Sequence, residues 1–412
     1  MNKKAILFHI DFDSYFVSAM RTVKPKLKNK PVICAKNSNH AIATSISYEL
    51  KNLGIKAGTK IADILKVVPN AIIVQPNYEL FSILSNDIFS YLAAKYSNKI
   101  KVCSIDECFL DVSNKCQTKE QAINLARKIQ QDILKRFDIP ITIGISNTFF
   151  ASKMTTNISK PFGIGYTDVS NFAEHFFELP IDEFHGIGKN LAPKLKEIGI
   201  FKIGDLAKYD RSNTQLQAIL GHTIVDVLDC LNIDKNEFIS KSNKEVKGIG
   251  KSETFAVLPV SQELIEITLD KFLEDVYTRM MLKNLACKTV SVGIRELNQE
   301  WKWTQFNFAK YSTDFKIIKK TVYMLYCDNF NEISIKGIGV RLSNLESVFE
   351  LYEPISLFEE TPNQITDVDR IMNQINKKFN QKKAITLKEY SQKQKQTHNN
   401  SPYLDGVVFK KW

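Results

Sequence analysis

Apolar positions along the first 170 residues predict a layer of strands and helices. Apolar runs predict buried strands over residues 5–11 and 139–146, and helical spacing predicts helices over 79–96 and 119–137. Between these helices, the stretch KVCSIDECFLDVS at 101–113 predicts a strand pair that turns at Asp106 and Glu107. The order strand, helix, hairpin, helix, strand is typical of a ferredoxin-like antiparallel sheet with helices on one face.

Two acids in the turn of that hairpin need an explanation. The first strand ends at Asp11, and this topology places the end of the first strand beside the hairpin turn. We therefore expect Asp11 to meet Asp106 and Glu107, although they are distant in sequence. The alternative is a solvated acidic turn, because Asp is common in turns and such a pair carries no penalty there.

Two segments interrupt or follow this layer. Residues 25–75 predict a strand at 32–35, a helix, a glycine-punctuated loop, a second helix ending at Pro69 and another strand, together forming an inserted lobe. Residues 167–239 predict short helices, and FHGIGKNLAPKLKEIGI within them looks like a helix-hairpin-helix. Its G-I-G turn would aim backbone N–H groups at a DNA phosphate. The alternative is an ordinary turn between two helices with glycine caps.

The remaining chain predicts a second domain. Residues 240–252 are rich in Lys, Ser and Gly, which predicts a linker. Strand-like runs at 253–260, 289–298, 304–310 and 337–346 alternate with helices near 262–284 and 313–330. We expect a smaller α+β domain over 253–350, followed by a tail over 351–412 with one amphipathic helix at 368–379 and a mobile polar stretch.

Composition narrows the class of protein. A chain of 412 residues with a net charge of +11 predicts two to four domains and favours a polyanionic partner such as nucleic acid, although a generally basic surface explains the charge equally well. No apolar run is long enough to span a membrane and the start does not resemble a secretion signal, so we expect a cytoplasmic protein. Seven cysteines without a C-x-x-C pair predict reduced thiols rather than disulfides or a zinc site.

A cluster of three carboxylates predicts metal-dependent chemistry. Asp11, Asp106 and Glu107 would repel one another unless cations neutralised them. Mg²⁺ prefers oxygen ligands and usually binds one or two carboxylates together with substrate phosphates. Two such ions, about 3.5 to 4 Å apart, would clamp the attacking and leaving oxygens of a phosphoryl displacement.

Five motifs together resemble one family. They are HIDFDSYFVSAM, ATSISYELKNLGIKAG, SIDECFLDVS, GISNTFFASKMTTNISKPFGI and HGIGKNLAPKLKEIGI. In order and spacing they resemble the Y-family DNA polymerases, the translesion enzymes of the UmuC/DinB type. The resemblance covers about residues 5 to 350, and the tail places the chain nearer the UmuC-like branch of Gram-positive bacteria and their mobile elements.

The resemblance implies an α+β right-hand polymerase of several domains. It implies a ferredoxin-like palm over 1–24 and 76–166, small fingers over 25–75, a helical thumb over 167–239 and an α+β little finger over 253–350. The implied activity is DNA-directed, error-prone translesion synthesis in DNA repair and the SOS response. Two Mg²⁺ ions would support nucleotidyl transfer from a dNTP to the primer 3′-OH of primer-template DNA.

The resemblance also assigns roles to individual residues. The metal ligands fall on Asp11, Asp106 and Glu107, with the backbone carbonyl of Phe12 added, whereas Asp13 is not an obvious ligand and Asp111 is structural. The contacts to the triphosphate fall on Tyr48, on Lys160, on Lys51 where many relatives have Arg, and on Ser45 where relatives often have Thr. The thumb's grip on the duplex falls on Gly186, Gly188 and Lys189.

Two neighbouring aromatic residues compete for one role. Phe16 matches the bulky gate that excludes a ribose 2′-OH, and Tyr15 is the alternative. The alternative for both residues is core packing of an aromatic helix face.

The tail suggests a protein partner. Residues 354–358, PISLF, resemble the pentapeptide Q-L-S-L-F that binds the bacterial sliding clamp, here Ile355, Ser356, Leu357 and Phe358, with Pro354 in place of Gln. The alternative is that Leu357 and Phe358 close the little-finger core. The sequence leaves open whether a UmuD-like or recombinase partner is needed.

Two other functions remain possible at this point. A nucleotidyl cyclase can share the palm sheet, but cyclases lack the segments at 184–350. A non-catalytic, polymerase-like regulator that binds DNA and the clamp would be favoured by loss of one of the three acids, and all three are present.

Overall fold

The computed structural model describes residues 4–36, 41–239 and 246–351, apart from 256–257, 259, 298–299, 331–332 and 350. The described chain divides into two compact units, one up to residue 239 and one from residue 246. Among these residues no helix has both the length and the apolar character needed to cross a membrane.

Among its described residues, the first unit has eight strands and eleven α-helices. Its strands are β1 Leu7–Phe12, β2 Val32–Cys34, β3 Ser45–Ile46, β4 Ile72–Val74, β5 Ile100–Val102, β6 Glu107–Asp111, β7 Ile141–Ser146 and β8 Ile164–Tyr166. Its helices are α1 Tyr15–Val23, α2 Tyr48–Lys51, α3 Ile61–Val67, α4 Tyr78–Lys95, α5 Lys119–Phe137, α6 Phe149–Ser159, α7 Phe172–Phe176, α8 Ala192–Glu197, α9 Ile203–Leu206, α10 Thr214–Leu220 and α11 Ile224–Asp229.

A five-stranded sheet lies at the centre of this unit, in the order β5-β6-β1-β7-β8. β1 pairs antiparallel with both β6 and β7, and only β8 runs parallel to its neighbour β7. Alternate β1 residues such as Phe8 and Ile10 belong to a core that includes apolar residues of α4 and α5. The α+β class is as predicted, and the two long helices agree with the apolar periodicity.

The expectation that helices cover only one face of the sheet is wrong. The unpredicted helix α6 packs against β1, β7 and β8. Gly144 on β7 allows this close approach, because a Cβ there would lie 2.2 Å from the Ser152 carbonyl and 2.4 Å from the Thr156 amide. The second face is therefore covered as well, which explains why every residue of β1 is buried.

Residues 25–75 form a lobe of their own. Its three short strands pair in the order β3-β2-β4, separate from the central sheet. A small core of Ile33, Ile46, Leu50 and Ile64 holds α2 and α3 against these strands. The Arg21 guanidinium of α1 donates to both carboxylate oxygens of Glu49 at 3.0 and 2.9 Å, which connects the lobe to the helix before it.

Short helices follow the central sheet, as predicted for residues 167–239. The helices α7 to α11 share a separate apolar core that includes Phe176, Phe184, Leu195 and Leu206. Gly199, with φ of +85°, comes two residues after α8 ends at Glu197, at the predicted end of the second hairpin helix.

The second unit is a four-stranded sheet with two helices, which are the predicted elements, although its first strand lies at Gly248–Thr254 rather than at 253–260. Its elements are β9 Gly248–Thr254, α12 Gln262–Leu282, β10 Leu285–Glu296, β11 Trp301–Ser312, α13 Phe315–Phe330 and β12 Ile335–Ser347. The strand order is β11-β10-β12-β9, and all pairs are antiparallel. Apolar residues of both helices and of the sheet form one core.

The predicted linker over 240–252 is too long. Residues from Gly248 onward form strand β9, which pairs with β12 from Gly337 to Ser343. Ile249 is 3% exposed and belongs to the core of the second unit. The strand was not predicted because Lys, Ser and Gly are typical of linkers. Its partner strand β12 is distant in sequence, so no local pattern indicates the pairing. The predicted tail helix and the clamp-like peptide lie outside the described residues.

Candidate active site

Strand register brings the three predicted acids to the same end of the neighbouring strands β1 and β6 in the central sheet. Asp11 on β1 is directly opposite Glu107 on β6, so their side chains share a face. One residue further, the amide of Phe12 donates to the carbonyl of Asp106 at 2.8 Å. The expected meeting of Asp11 with the hairpin acids is therefore observed.

Two lysines at helix α6 pair with two of the three acids. The ammonium group of Lys160, which caps the C-terminus of α6, lies 2.7 Å from Asp11 Oδ2. The ammonium group of Lys153, within α6, lies 2.5 Å from Glu107 Oε2. The lysines supply the positive charge that a carboxylate cluster requires.

A buried histidine lies behind Glu107. His9 is fully buried, its Nδ1 is 2.9 Å from the Thr156 hydroxyl, and its Nε2 is 3.6 Å from Glu107 Oε2. Burial lowers the pKa of His9. Burial by itself would raise the pKa of Glu107, but the nearby His9 ring and the charge of Lys153 outweigh it and lower that pKa to about 2. Glu107 is therefore held as a carboxylate.

Asp106 has the opposite electrostatic environment. Burial, reinforced by the charge of Asp11, raises the pKa of Asp106 to about 6, although the Ser104 hydroxyl opposes the shift by donating to Oδ1 at 2.5 Å. The two hairpin acids thus differ in pKa because His9 and Lys153 contact Glu107, whereas Asp106 is buried beside another carboxylate.

Asp13 is a structural acid. It is 1% exposed, and its carboxylate accepts hydrogen bonds from the Tyr48 hydroxyl at 3.0 Å, the Thr142 hydroxyl at 2.9 Å and the Phe162 amide at 2.9 Å. Burial raises its pKa against these hydrogen bonds. Its oxygens are committed to protein donors, which agrees with its exclusion from the predicted ligands. Asp111 is likewise buried and accepts from the amide and hydroxyl of Ser113.

The donors at this edge suit a hard cation. The three side chains and the carbonyl of Phe12 offer only oxygen, the ligand that Mg²⁺ prefers. Within the described ranges, no three Asp, Glu, His or Cys side chains are grouped closely enough to hold an ion. This is compatible with Mg²⁺, which completes its coordination with water and substrate phosphates rather than in an all-protein cage.

The predicted nucleotide contacts gather next to the acids. Tyr48 donates to Asp13, and the ammonium group of Lys51 lies 4.4 Å from the centre of the Tyr48 ring. Burial and the positive charge of Lys160 lower the pKa of Lys51. Ser45 lies on β3 opposite Cys34 and is half-buried. Tyr48, Lys51 and Lys160 therefore place hydroxyl and ammonium groups beside Asp11 and Asp13.

The structure separates the two aromatic candidates for the gate. Tyr15 is 2% exposed, and its hydroxyl donates to the carbonyl of Phe81 at 2.5 Å. Phe16 is half-buried and stacks on the ring of Phe81 with the centroids 4.4 Å apart. Tyr15 is a core residue, so its assignment as a nucleotide contact is wrong, and Phe16 is the ring that reaches the surface.

The glycines of the predicted DNA turn are accessible. Gly186 has φ of +107°, and a Cβ at Gly186 or Gly188 would meet nothing within 4 Å. Between them Ile187 is 3% exposed and anchors the turn in the helical core, while Lys189 is exposed. The backbone of this turn thus faces outward, as a phosphate contact requires.

Sequence analysis missed Lys153, His9 and Thr142. Lys153 lies within the quoted motif GISNTFFASKMTTNISKPFGI, but nothing in its spacing to Glu107 indicates the contact. A lone histidine in an apolar strand likewise gives no indication of its neighbours. These partners emerge only from the packing of α6 on β1.

Comparisons with known proteins show which family this chain resembles. The model of the impB/mucB/samB family matches residues 10–157, and the model of its C-terminal domain matches residues 246–351. The chain is 29% identical to DNA polymerase IV of Oceanobacillus iheyensis over 87% of this chain and 85% of that one. It is 27% identical to DNA polymerase IV 1 of Bacillus subtilis over 98% of both chains.

Solved structures give the same result. A chimera of the Y-family polymerases Dbh and Dpo4 matches with a TM-score of 0.72 and 28% identity, over 83% of this chain and 99% of that one. DinB from Sulfolobus solfataricus matches with a TM-score of 0.58 and 28% identity, over 82% and 98%. The class is thus a DNA-directed DNA polymerase. More narrowly, the chain belongs to the Y family of DNA polymerases, the translesion enzymes that its motifs resemble. The UmuC-like branch stays a prediction.

Proposed function

We propose that this polymerase carries out error-prone translesion synthesis in the cytoplasm during the SOS response and DNA repair. It would transfer a nucleotidyl group from a dNTP to the 3′-OH of primer-template DNA, with pyrophosphate as the leaving group. The single observation that carries the proposal is the register of Asp11 with Glu107, with Asp106 adjacent and two lysines at hand. The five-stranded sheet would be the palm, residues 25–75 the fingers, 167–239 the thumb and the second unit the little finger.

Asp11, Asp106, Glu107 and the carbonyl of Phe12 would hold two Mg²⁺ ions. When bound, these ions stabilise the attacking and leaving oxygens of an in-line displacement. The chain contributes a fixed set of carboxylates on adjacent strand ends, with Glu107 kept ionised by Lys153. Lys160 pairs with Asp11, so it can exchange that partner for a phosphate without leaving the cluster.

The triphosphate would bind to Tyr48, Lys51 and Lys160, with Ser45 as a further hydroxyl contact. The ammonium group of Lys51 lies against the Tyr48 ring, and the positive charge of Lys160 is near enough to lower the pKa of Lys51. Two ammonium groups therefore lie near the acids. Two cations beside the carboxylates are the arrangement that a bound triphosphate needs, since the phosphates carry the opposite charge. The turn of Gly186, Gly188 and Lys189 would hold the backbone of the duplex.

Primer extension by the purified full chain tests this function. The templates should be an intact strand and strands with an abasic site or a bulky adduct, with and without Mg²⁺. We expect metal-dependent extension on all of them, with extension past the lesions. Binding of primer-template DNA without extension would instead identify a non-catalytic regulator.

We predict that Phe16→Ala admits ribonucleotides. Truncation removes a half-buried ring on α1 and opens space for a 2′-OH without touching the acids. We expect discrimination between matched dNTP and rNTP to fall by at least about tenfold, since a pocket discriminates by the fit of small groups. Single-nucleotide insertion measures it. The matched control is Phe81→Leu, which changes the ring beneath Phe16. Unchanged discrimination by Phe16→Ala would mean that Phe16 serves in packing alone.

We also predict that Leu357→Ala with Phe358→Ala removes stimulation by the sliding clamp. Ile355, Ser356, Leu357 and Phe358 lie outside the described residues, so this proposal rests on the sequence alone. A weak peptide contact would tether the polymerase near the primer end at an effective concentration in about the millimolar range.

Extension with a loaded clamp measures that stimulation, and distributive synthesis without the clamp should be unchanged. Equal stimulation of the variant and the parent would contradict the assignment. Adding a UmuD-like protein or a recombinase to the same reactions tests for a required partner.

A further inference from the structure

The chain returns to the central sheet after the helices that follow it. Residues 233–237, here called the exit segment, come after α11 and before residue 246, where the second unit begins. The first of them, Ile233, is 7% exposed and belongs to the apolar core of helices α7 to α11. The last three residues form hydrogen bonds with the start of β1 and with the junction of β7 and α6. The exit segment therefore joins the helical part of the first unit to its sheet.

A buried asparagine holds the exit segment at the junction of β7 and α6. Asn147 is 6% exposed, and its side-chain amide donates to the carbonyls of Ile233 and Lys235, both at 2.6 Å. The carbonyl of Asn147 accepts from the amide of Glu237 at 3.0 Å. Buried polar groups are satisfied by such hydrogen bonds, and removing one partner leaves the other unpaired. Three hydrogen bonds thus fix Glu237 beside the start of α6.

The side chain of Glu237 completes the N-terminus of α6. The first amides of a helix have no partner within the helix. The Thr148 hydroxyl accepts from the Ala151 amide at 3.2 Å, and Glu237 Oε2 accepts from the Phe149 amide at 2.6 Å. A negative charge is also favourable at this end of the helix dipole. A residue 88 positions further along the chain therefore supplies the second cap of α6.

The capped turn of α6 directly precedes the lysine that meets Glu107. Lys153 lies four residues after Phe149, one helical turn away, and its ammonium group is 2.5 Å from Glu107 Oε2. The Phe149 ring also contacts the ring of Phe109 on β6, with the centroids 4.9 Å apart. Phe109 is two residues from Glu107 on the same strand. The position of this turn therefore determines where the Lys153 ammonium group lies relative to Glu107.

We propose that Glu237 and Asn147 are positioning residues for nucleotidyl transfer. They hold the first turn of α6 and so place Lys153 against Glu107. Their hydrogen bonds described above go to this turn and to the exit segment rather than to the acids, so their effect passes through α6. The inference rests on the proposed function. It adds a connection between the catalytic acids and the chain segment that leads to the second unit.

Single-turnover insertion by the full chain tests the role of Glu237. In Glu237→Ala we expect the rate to fall about 3-fold to 30-fold, the factor that corresponds to loss of one helix cap, with little change in the affinity for primer-template DNA. Glu237→Gln should keep most of the rate because an oxygen acceptor for the Phe149 amide remains. Asn236→Ala is the matched control from the same segment, because Asn236 Oδ1 accepts from the Ala5 amide at 2.9 Å and not from α6. It should keep the parent's rate.

A double-mutant cycle separates positioning from a general loss of stability. Lys153→Met removes the ammonium group through which Glu237 is inferred to act. Adding Glu237→Ala to Lys153→Met should therefore slow insertion no further, whereas independent effects would multiply. Hydrogen exchange with mass spectrometry locates the change without relying on activity. Amides of the first turn of α6 should exchange at least about threefold faster in Glu237→Ala, with the amides of β10 unchanged as the reference.

Asn147→Ser is an independent variant that loses the bonds to the Ile233 and Lys235 carbonyls, and it should lower the rate in the same way. Circular dichroism verifies that each variant is folded. Two results would overturn the inference: the parent's rate in folded Glu237→Ala, and a double variant in which the two losses multiply. A parent that extends primers as fast as Glu237→Ala does contradicts only this inference. A parent that extends no primer contradicts the proposed function and this inference with it.

Discussion

Asp106→Asn is expected to reduce the rate of primer extension by at least about a hundredfold while changing the affinity for DNA little. The amide keeps the shape of the side chain and an oxygen toward the Ser104 hydroxyl, which is 2.5 Å from Asp106 Oδ1. It removes the negative charge that would face the cation. A metal ion contributes several kcal/mol to charge stabilisation in the transition state, and each 1.36 kcal/mol is a factor of ten.

Single-turnover insertion kinetics check this prediction. An interaction made mainly in the transition state is lost from the rate rather than from substrate binding. Asp63→Asn is the matched control, because Asp63 is an exposed acid on α3 that pairs with Lys66. The control should retain the parent's rate. A variant at Asp106 that keeps more than about a tenth of the rate would contradict the two-metal assignment.

The meeting of the acids could be predicted because it depends on features visible in the sequence. Two apolar strands flanking a turn determine which residues reach the strand ends, and Asp11 and Glu107 are opposite each other in the resulting register. Helix α5 was predicted with correct ends for a similar reason. Its apolar spacing is regular, and Thr118 caps it by accepting from the Gln121 amide.

Helix α6 could not be predicted from local pattern. Its C-terminal half is rich in Thr, Asn and Ser, which favour helices weakly because their side chains compete for backbone hydrogen bonds. In the folded chain these hydroxyls bond within the unit, as when the Thr155 hydroxyl donates to the carbonyl of Ala151 at 2.6 Å. The contacts of Lys153 with Glu107 and of Thr156 with His9 follow from this tertiary packing.

Ser14 is a second position where the structure differs from the local sequence preference. It precedes helix α1, where sequence preference predicts that its hydroxyl caps the helix. Instead Ser14 has φ of 47° and its side chain makes no capping hydrogen bond, while its carbonyl accepts from the amides of Val17 and Ser18. The neighbouring Asp13 accepts hydrogen bonds from the Thr142 hydroxyl and the Phe162 amide, so this part of the chain is held by tertiary contacts rather than by a local cap.

Asp13→Ala is expected to destabilise the first unit by about 2–4 kcal/mol, because the hydrogen bonds of one buried carboxylate are lost. The donors are the Tyr48 hydroxyl, the Thr142 hydroxyl and the Phe162 amide, all within 3.0 Å of its oxygens. Each buried donor without a partner costs about 1–3 kcal/mol, offset in part by relief of the buried charge. That charge is unfavourable, since burial raises the pKa of Asp13.

Hydrogen exchange with mass spectrometry measures the effect on each unit separately. Amides of β1 and β7, the strands that carry Asp13's neighbours, should exchange at least about thirtyfold faster in Asp13→Ala, which is the kinetic equivalent of about 2 kcal/mol. Amides of β10 in the second unit are the internal reference and should be unchanged. Asp63→Ala is the matched control and should alter stability by no more than about 0.5 kcal/mol, because Asp63 is exposed. Unchanged exchange in β1 and β7 would mean that Tyr48, Thr142 and the Phe162 amide find other partners, and that Asp13 does not secure the lobe at residues 25–75 to the sheet.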